Sequence, residues 1–348
     1  MAAQPTFVQD IWYFAAFAPE LKPGKMKRIV IADHPVNLGR KRDGSLFAMR
    51  DICPHRAAPL SAGTMGEGHV ECPYHGWKFG VEDGQCLEIP SMCADQKNPA
   101  SGIKLRTYPV REQGNLIWVY IAMDKKFAAN PEIDPPHFNA ARFKPRLIRR
   151  LQLNCHVDHA VVGLMDPAHG PFVHQQWWWR SKKSIHEKAK DFEPRPRGFA
   201  MAPHSPSSNS LAYKLLGGKP VTEITFQLPN VRTEEIKVEK RTLLSFTAVT
   251  PIDEKTTEIT QAFFTDHGAV KLFSPFMGPF VETFLHQDGD MVDLQQSGLK
   301  YDPKLMLIED ADTQAKWYYA LKKEWASSRN EGRAFKNPVK TKTLRWRS

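Results

Sequence analysis

The sequence predicts an α+β chain of two domains, a small all-β one first and a larger mixed one behind it. Short strand candidates crowd residues 7–123, and a Pro- and Ala-rich connector follows. The remainder of the 348 residues then alternates helical stretches with longer strand-like runs. The expected division is residues 1–125 and 126–348, with 126–148 as the connector, where Pro131, Pro135, Pro136 and Pro145 concentrate.

In the first domain, residues 28–31 (Arg-Ile-Val-Ile) are a strand candidate, and Asp43-Gly44 marks a hairpin turn into a partner strand at 45–50. A second turn falls at Glu82-Asp83-Gly84-Gln85, and a Pro-rich loop runs over 90–99. Residues 115–121 form the most strand-like run of the chain. Beyond the connector, residues 151–174 read as helical with breaks. Strand-like runs follow at 221–228, 241–250 and 257–265, and 273–296 returns to helix. Residues 310–328 are an amphipathic helix, with Trp317, Tyr318, Leu321 and Trp325 at helical spacing.

No apolar run approaches the roughly 20 residues that span a bilayer, so no transmembrane segment is expected. The N-terminus lacks the build of a signal peptide, and the simplest reading is a cytoplasmic protein. Five Cys in no paired pattern fit a reducing compartment. The net charge of +10 comes with no nucleic-acid motif, so a nucleic-acid partner is not expected. An acidic ferredoxin or reductase suits the basic surface better. The basic excess near the C-terminus, including Lys342, Arg345 and Arg347, reads as a solvated tail.

Between the first domain's strands lies the stretch that sets the chemistry. Cys53-Pro54-His55 is followed sixteen residues later by Cys72-Pro73-Tyr74-His75. Two thiolates on one iron and two imidazoles on the other make a [2Fe–2S] cluster of raised potential. A structural zinc site is the alternative, although zinc fingers usually keep the two Cys together and the two His together. Here each half supplies one of each.

A second constellation is Asp166-Pro167-Ala168-His169-Gly170-Pro171-Phe172-Val173-His174. On an unbroken helix residues five apart sit roughly 140° apart. Gly170-Pro171 breaks the helix between the two His, so both imidazoles can converge on one metal. Two His and one carboxylate form the facial triad of non-heme Fe(II) oxygenases. Two ordinary His at a helix end are the alternative. Asp166 reads as an N-cap, as a carboxylate accepting the ring N–H of a ligand His, or as both. His156 and His159 read as packing or supporting residues. Asp288, Asp290 and Asp293 compete for the third position.

With these motifs the whole chain resembles the terminal oxygenase subunit of Rieske non-heme iron oxygenases, and among them the α-only monooxygenases and demethylases. The resemblance implies an N-terminal all-β Rieske domain and an α+β catalytic domain with an antiparallel sheet flanked by helices. It implies that Cys53, His55, Cys72 and His75 bind the cluster and that His169, His174 and Asp288 bind a mononuclear Fe(II), with Asp290 as runner-up to Asp288. Asp166 would link the cluster of one subunit to the iron of its neighbour in a head-to-tail homotrimer. The implied activity takes O2, and electrons from NAD(P)H through a reductase or ferredoxin, to hydroxylate or oxidatively demethylate an apolar or aromatic small molecule. A Rieske electron carrier without oxygenase activity and an oxygenase of polycyclic or steroid-like substrates are the alternatives. A membrane-associated oxygenase would carry C-terminal apolar spans and a late Cys-x-x-Cys, which this sequence lacks. An apolar pocket is expected around Leu164, Phe172, Phe276, Phe280 and Phe284, with plain core as the other use of those residues. Trp177, Trp178 and Trp179 suit packing or a subunit contact. The roles of Asn154 and Asp158 stay open.

Overall fold

The computed structural model describes residues 6–123, 131–138, 143–175, 182–206, 218–268 and 274–348. The chain forms two compact units, Gln9–Ala141 and Arg142–Ser348 together with Met1–Val8.

The first unit is built from small antiparallel sheets. β1 (Ile11–Phe17) pairs with β10 (Leu116–Ile121), which also pairs with β9 (Val110–Gln113). Every residue of β10 is buried, as its unbroken apolar run requires. β2 (Lys25–Ile31), β3 (His34–Arg40) and β4 (Leu46–Arg50) form a meander around the expected turn at Asp43-Gly44. β5 (Thr64–Met65), β6 (His69–Glu71), β7 (Lys78–Gly80) and β8 (Cys86–Glu88) complete the unit. Residues from the expected connector are tied into it. Trp12 Nε1 donates to the Ile133 carbonyl at 2.7 Å, and Arg111 pairs with Asp134 at 2.6 Å. The first residues of the chain belong instead to the second unit. Phe7 stacks on His156 at 5.9 Å, and Thr6 Oγ1 donates to Glu254 at 3.2 Å.

The second unit is one antiparallel sheet of eight strands, in the order β11-β17-β16-β15-β14-β13-β12-β18. These are β11 (Leu147–Leu153), β12 (Glu187–Arg195), β13 (Gly198–His204), β14 (Val221–Gln227), β15 (Val231–Val238), β16 (Arg241–Pro251), β17 (Thr257–Thr265) and β18 (Lys342–Arg347). The helices are α1 (Val157–Met165), the single turn α2 (Gly170–Val173), α3 (Gly278–Leu299) and α4 (Thr313–Asn330).

Two expectations change here. Residues 151–153 continue β11 and pair with Ile259, Glu258 and Thr257, so the helix starts only at Val157. Period-2 alternation in a run this short, set against helical residues beyond it, is hard to see in sequence. The basic C-terminal stretch is also not a solvated tail over its last residues. Leu344 and Trp346 alternate with charged residues and are buried, so β18 docks as an edge strand on β12.

α4 buries Tyr318, Leu321 and Trp325, while Trp317 meets Phe192 and Phe199 at ring distances of 5.6 and 5.2 Å. α3 buries Gly278, Val281, Leu285 and Val292 at helical spacing. Gly289 lets α3 approach β11 closely, since a Cβ there would lie 3.2 Å from Leu151 Cδ2. Among the described residues no helix is long and apolar enough to cross a membrane.

Leu344 is fully buried on β18, opposite Lys190 of β12. Leu344→Ala is expected to destabilise the chain by about 2–5 kcal/mol, read as a lowered denaturation midpoint. An unchanged midpoint would show that β18 adds nothing to the core.

Candidate metal centres

The two Cys-containing loops of the first unit fold as the same turn. Cys53 N–H donates to Ala58 O at 2.9 Å and Ala57 N–H to Cys53 O at 2.9 Å. Cys72 N–H donates to Trp77 O at 2.8 Å and Gly76 N–H to Cys72 O at 3.1 Å. The fifth residue of each turn is left-handed, Ala57 at φ 57° and Gly76 at φ 70°. Proline after each Cys suits this geometry, because its missing donor leaves no unsatisfied N–H in a tight loop. The first loop is fastened by Asp51. Its buried carboxylate accepts from Arg28 Nη1 at 2.9 Å, Ser61 N–H at 2.7 Å and Ser61 Oγ at 2.7 Å.

The four sequence-predicted residues come together at these turns. Cys53 and Cys72 are buried in the core beside Leu60, Val70 and Phe79. Burial pushes the Cys53 thiol up, the Cys72 sulfur adds to the effect, and backbone N–H groups of His55 and Arg56 oppose it. A thiolate buried here needs a cationic partner, which iron supplies. The His55 and His75 rings lie side by side at 4.6 Å, and His55 stacks on Trp77 at 4.9 Å. Burial, with His55 and Arg56 nearby, lowers His75 below the usual imidazole range and so favours its neutral form. His75 Nδ1 is buried without a hydrogen-bond partner among the described residues. A sulfur pair, an imidazole pair and an orphaned ring nitrogen fit a [2Fe–2S] cluster with two S and two N ligands.

In the second unit, the helix break does what the sequence requires of it. His169 Nε2 lies 3.1 Å from His174 Nε2, and Asp288 Oδ1 lies 3.2 Å from His174 Nε2 and 3.8 Å from His169 Nε2. All three ligand atoms fall within 4.8 Å of one another. Asp290 and Asp293 are exposed elsewhere on α3, and Asp293 instead accepts from Asn154 Nδ2 at 3.4 Å.

Each imidazole is held through its other nitrogen. His169 Nδ1 donates to the Asp166 carbonyl at 2.8 Å, and His174 Nδ1 to Gln287 Oε1 at 3.1 Å. That tautomer leaves both Nε2 lone pairs for a metal. Phe284 abuts His174 edge-on at 4.7 Å. Gln287 has no signal in the sequence beyond its place next to Asp288. Trp77 and Asp51 are likewise invisible as supporting residues until the loops close.

Asp166 is not an N-cap. It closes the C-terminal end of α1, with its N–H donating to Val162 O and Gly163 O, and His169 precedes α2. Its Oδ1 accepts from Ala168 N–H at 2.7 Å, and its Oδ2 is 3.7 Å from His169 Nδ1. Pro167 is thus part of a turn whose Asx bond competes with helix initiation.

The other open residues are structural in place. Asp158 accepts from Tyr318 OH at 2.6 Å and Lys322 Nζ at 2.5 Å, tying α1 to α4. His156 caps α1 by accepting from Asp158 N–H at 3.2 Å, and burial lowers His159. Phe172, Phe276 and Phe280 are not core, being 53, 72 and 50% exposed. Trp177, Trp178 and Trp179 lie outside the described residues.

Comparison with known proteins agrees with both units. Residues 11–109 match the profile of the Rieske [2Fe-2S] domain, and residues 153–317 match the vanillate O-demethylase oxygenase C-terminal domain. The chain therefore belongs to the Rieske oxygenases, a Rieske [2Fe–2S] domain followed by an oxygenase domain of the vanillate O-demethylase kind. It is 36% identical over 177 residues to the oxygenase component of dicamba O-demethylase from Stenotrophomonas maltophilia, which covers 49% of this chain and 48% of that protein. It is 30% identical over 299 residues to protein TIC 55 of Pisum sativum, covering 84% of this chain and 51% of that protein. The chain spans between about a third and a half of the length of the first such relatives, from 29% to 51%. Dicamba monooxygenase bound to 3,6-dichlorosalicylic acid has the same fold, with a TM-score of 0.73 over 93% of this chain and 99% of that one at 22% identity.

Gln287→Leu keeps the side-chain bulk but removes the acceptor for His174. Affinity for Fe(II) in the second unit is expected to fall about 10–100-fold, measured by competition with a chelator. Unchanged affinity would mean that Gln287 does not orient the ring. Gly76→Ala places a Cβ at a left-handed position, 3.2 Å from Pro90 Cγ. It is expected to destabilise the first unit by about 1–2 kcal/mol, whereas Ala57→Gly should be near neutral because relieved strain offsets added chain entropy. Equal effects of the two substitutions on the thermal midpoint would refute the shared turn as the source of strain.

Proposed function

We propose that the chain is the terminal oxygenase component of a Rieske system, a monooxygenase or demethylase rather than a ring dioxygenase. The observation that carries this reading is the convergence of His169 Nε2, His174 Nε2 and Asp288 Oδ1 within 4.8 Å on elements far apart in sequence. In this reading Cys53, His55, Cys72 and His75 hold the [2Fe–2S] cluster, and His169, His174 and Asp288 hold one Fe(II). When bound, the two centres supply single-electron transfer and O2 activation.

The chain's own groups hold and orient. Asp166 O and Gln287 Oε1 fix the imidazole tautomers, and Phe284 shields one side of His174 from water. The exposed Phe172, Phe276 and Phe280 supply apolar contact for an aromatic or otherwise apolar substrate. Electrons come from NAD(P)H through a reductase or ferredoxin, for which the basic net charge of +10 suits an acidic donor. A head-to-tail homotrimer would bring the Asp166 carboxylate to a neighbour's cluster. Five free cysteines favour a cytoplasmic setting.

Iron analysis and oxygen uptake test the reading. The loaded protein should hold three irons per chain, the stoichiometry of one two-iron cluster plus one mononuclear site. Asp288→Ala should keep the cluster's visible absorption, lose one iron and lose substrate-dependent O2 uptake with a generic reductase. Asp166→Asn should keep all the iron and lose most of the turnover. Two irons per chain in the unmodified protein would leave an electron carrier.

A further inference from the structure

Two buried polar atoms two residues apart on the second Cys turn, His75 Nδ1 and Trp77 Nε1, have no hydrogen-bond partner among the described residues. A neutral imidazole can offer a lone pair, whereas an indole nitrogen offers an N–H and nothing else. Leaving a buried N–H unmet is unfavourable, so such groups are normally satisfied. The His75 nitrogen is accounted for as a ligand atom. The Trp77 N–H has no use so far.

Trp77 is firmly placed. Its carbonyl accepts from Cys72 N–H at 2.8 Å, which ties its backbone to a sulfur-bearing residue. Its ring lies flat on His55, with 4.9 Å between centroids and 6° between planes, and His55 in turn meets His75 at 4.6 Å. The indole packs on the core that contains Cys53 and Cys72. Apart from the indole nitrogen itself, no side chain of that core carries an oxygen or a nitrogen, and its only polar elements are sulfurs. Tyr74, the other aromatic of the turn, differs. It touches His75 at 3.9 Å, is 56% exposed and has no unmet buried atom.

We propose that Trp77 donates its indole N–H to an inorganic sulfide of the [2Fe–2S] cluster and thereby raises the cluster's reduction potential. A cluster answers both unmet atoms at once, since iron takes the His75 lone pair and sulfide accepts the indole proton. Hydrogen bonds to the sulfurs are one of the determinants of such potentials. Reduction adds negative charge to the sulfides, so the N–H bond strengthens in the reduced form and favours it. Trp77 thus serves the cluster twice, through the face that holds His55 and through the edge that meets sulfur. This role rests on the Rieske reading of the first unit and concerns the cluster's potential rather than its presence.

The test uses the full chain with its cluster loaded, at one fixed pH, and reads the midpoint potential by redox titration followed by EPR. Replacing Trp77 by β-(3-benzothienyl)alanine keeps the ring shape and the stack and removes only the N–H. The potential should fall by at least about threefold in the reduction equilibrium, about 28 mV for a one-electron couple, as loss of one ordinary hydrogen bond requires. Trp77→Phe should lower it likewise and serves if the first replacement fails to fold. In the unmodified chain grown with 15N-indole tryptophan, pulsed EPR of the reduced cluster should show a nitrogen coupling that Trp77→Phe abolishes. A merely structural Trp77 would lower the thermal midpoint and cluster retention while leaving the potential of the retained clusters in place. A smaller fall in the folded variants, or no indole coupling, overturns the donor role and leaves water as the partner of the N–H. A chain that forms no [2Fe–2S] cluster overturns the donor role and the Rieske reading together, whereas full cluster absorption with an unmoved potential overturns the donor role alone.

Discussion

Two imidazoles can aim lone pairs at one point only if their remaining nitrogens are held. That constraint organises the second unit. His169 is held by a carbonyl of its own loop, the Asp166 peptide, while His174 is held by an amide oxygen from α3, far along the chain. The first restraint is local and follows from a turn of three residues. The second requires that α3 be seated on β11, which Gly289 permits by offering no side chain to Leu151. Gln287 and Asp288 are adjacent on α3, so seating the helix delivers the tether for one ring and the carboxylate for both in a single step.

The first unit meets a related requirement by repetition. Both Cys turns close with the same pair of backbone hydrogen bonds, and both sulfurs end in the core. His55 comes two residues after its Cys and His75 three, yet the rings finish side by side. The stack of His55 on Trp77 couples the loops, because Trp77 belongs to the second turn and its carbonyl accepts from Cys72. The loops thus fix each other as well as themselves.

Much of this was legible in the sequence where chemistry is written in spacing. The Cys-x-His and Cys-x-x-His halves lie in loops as expected, and the Gly170-Pro171 break brings His169 and His174 together. The strands at 115–121, 241–250 and 257–265 and the helix at 310–328 agree with β10, β16, β17 and α4 to within a few residues. Whatever depended on distant partners was not legible. The helical reading of 151–153 fails because β17 recruits those residues into the sheet. The tail reading of 342–347 fails because charges at every second position hide Leu344 and Trp346. Asp166 before Pro167 reads as a helix start, but the next helical turn begins four residues later, and the Asp closes the helix behind it instead. The phenylalanines on α3 follow helical spacing, yet Phe280 is half exposed and Phe284 packs on His174, while Val281 and Leu285 take the buried positions.

Asp166 divides its atoms among several partners. Its amide closes α1, its carbonyl carries the His169 ring, and one carboxylate oxygen is taken by Ala168. All three belong to one residue, so they cannot move independently. A pull on the carboxylate would travel through a single short lever to the imidazole, turning its lone pair toward or away from Asp288. A residue placed this way is a mechanical coupling, able to pass a contact at the carboxylate on as a small rotation of the His169 ring.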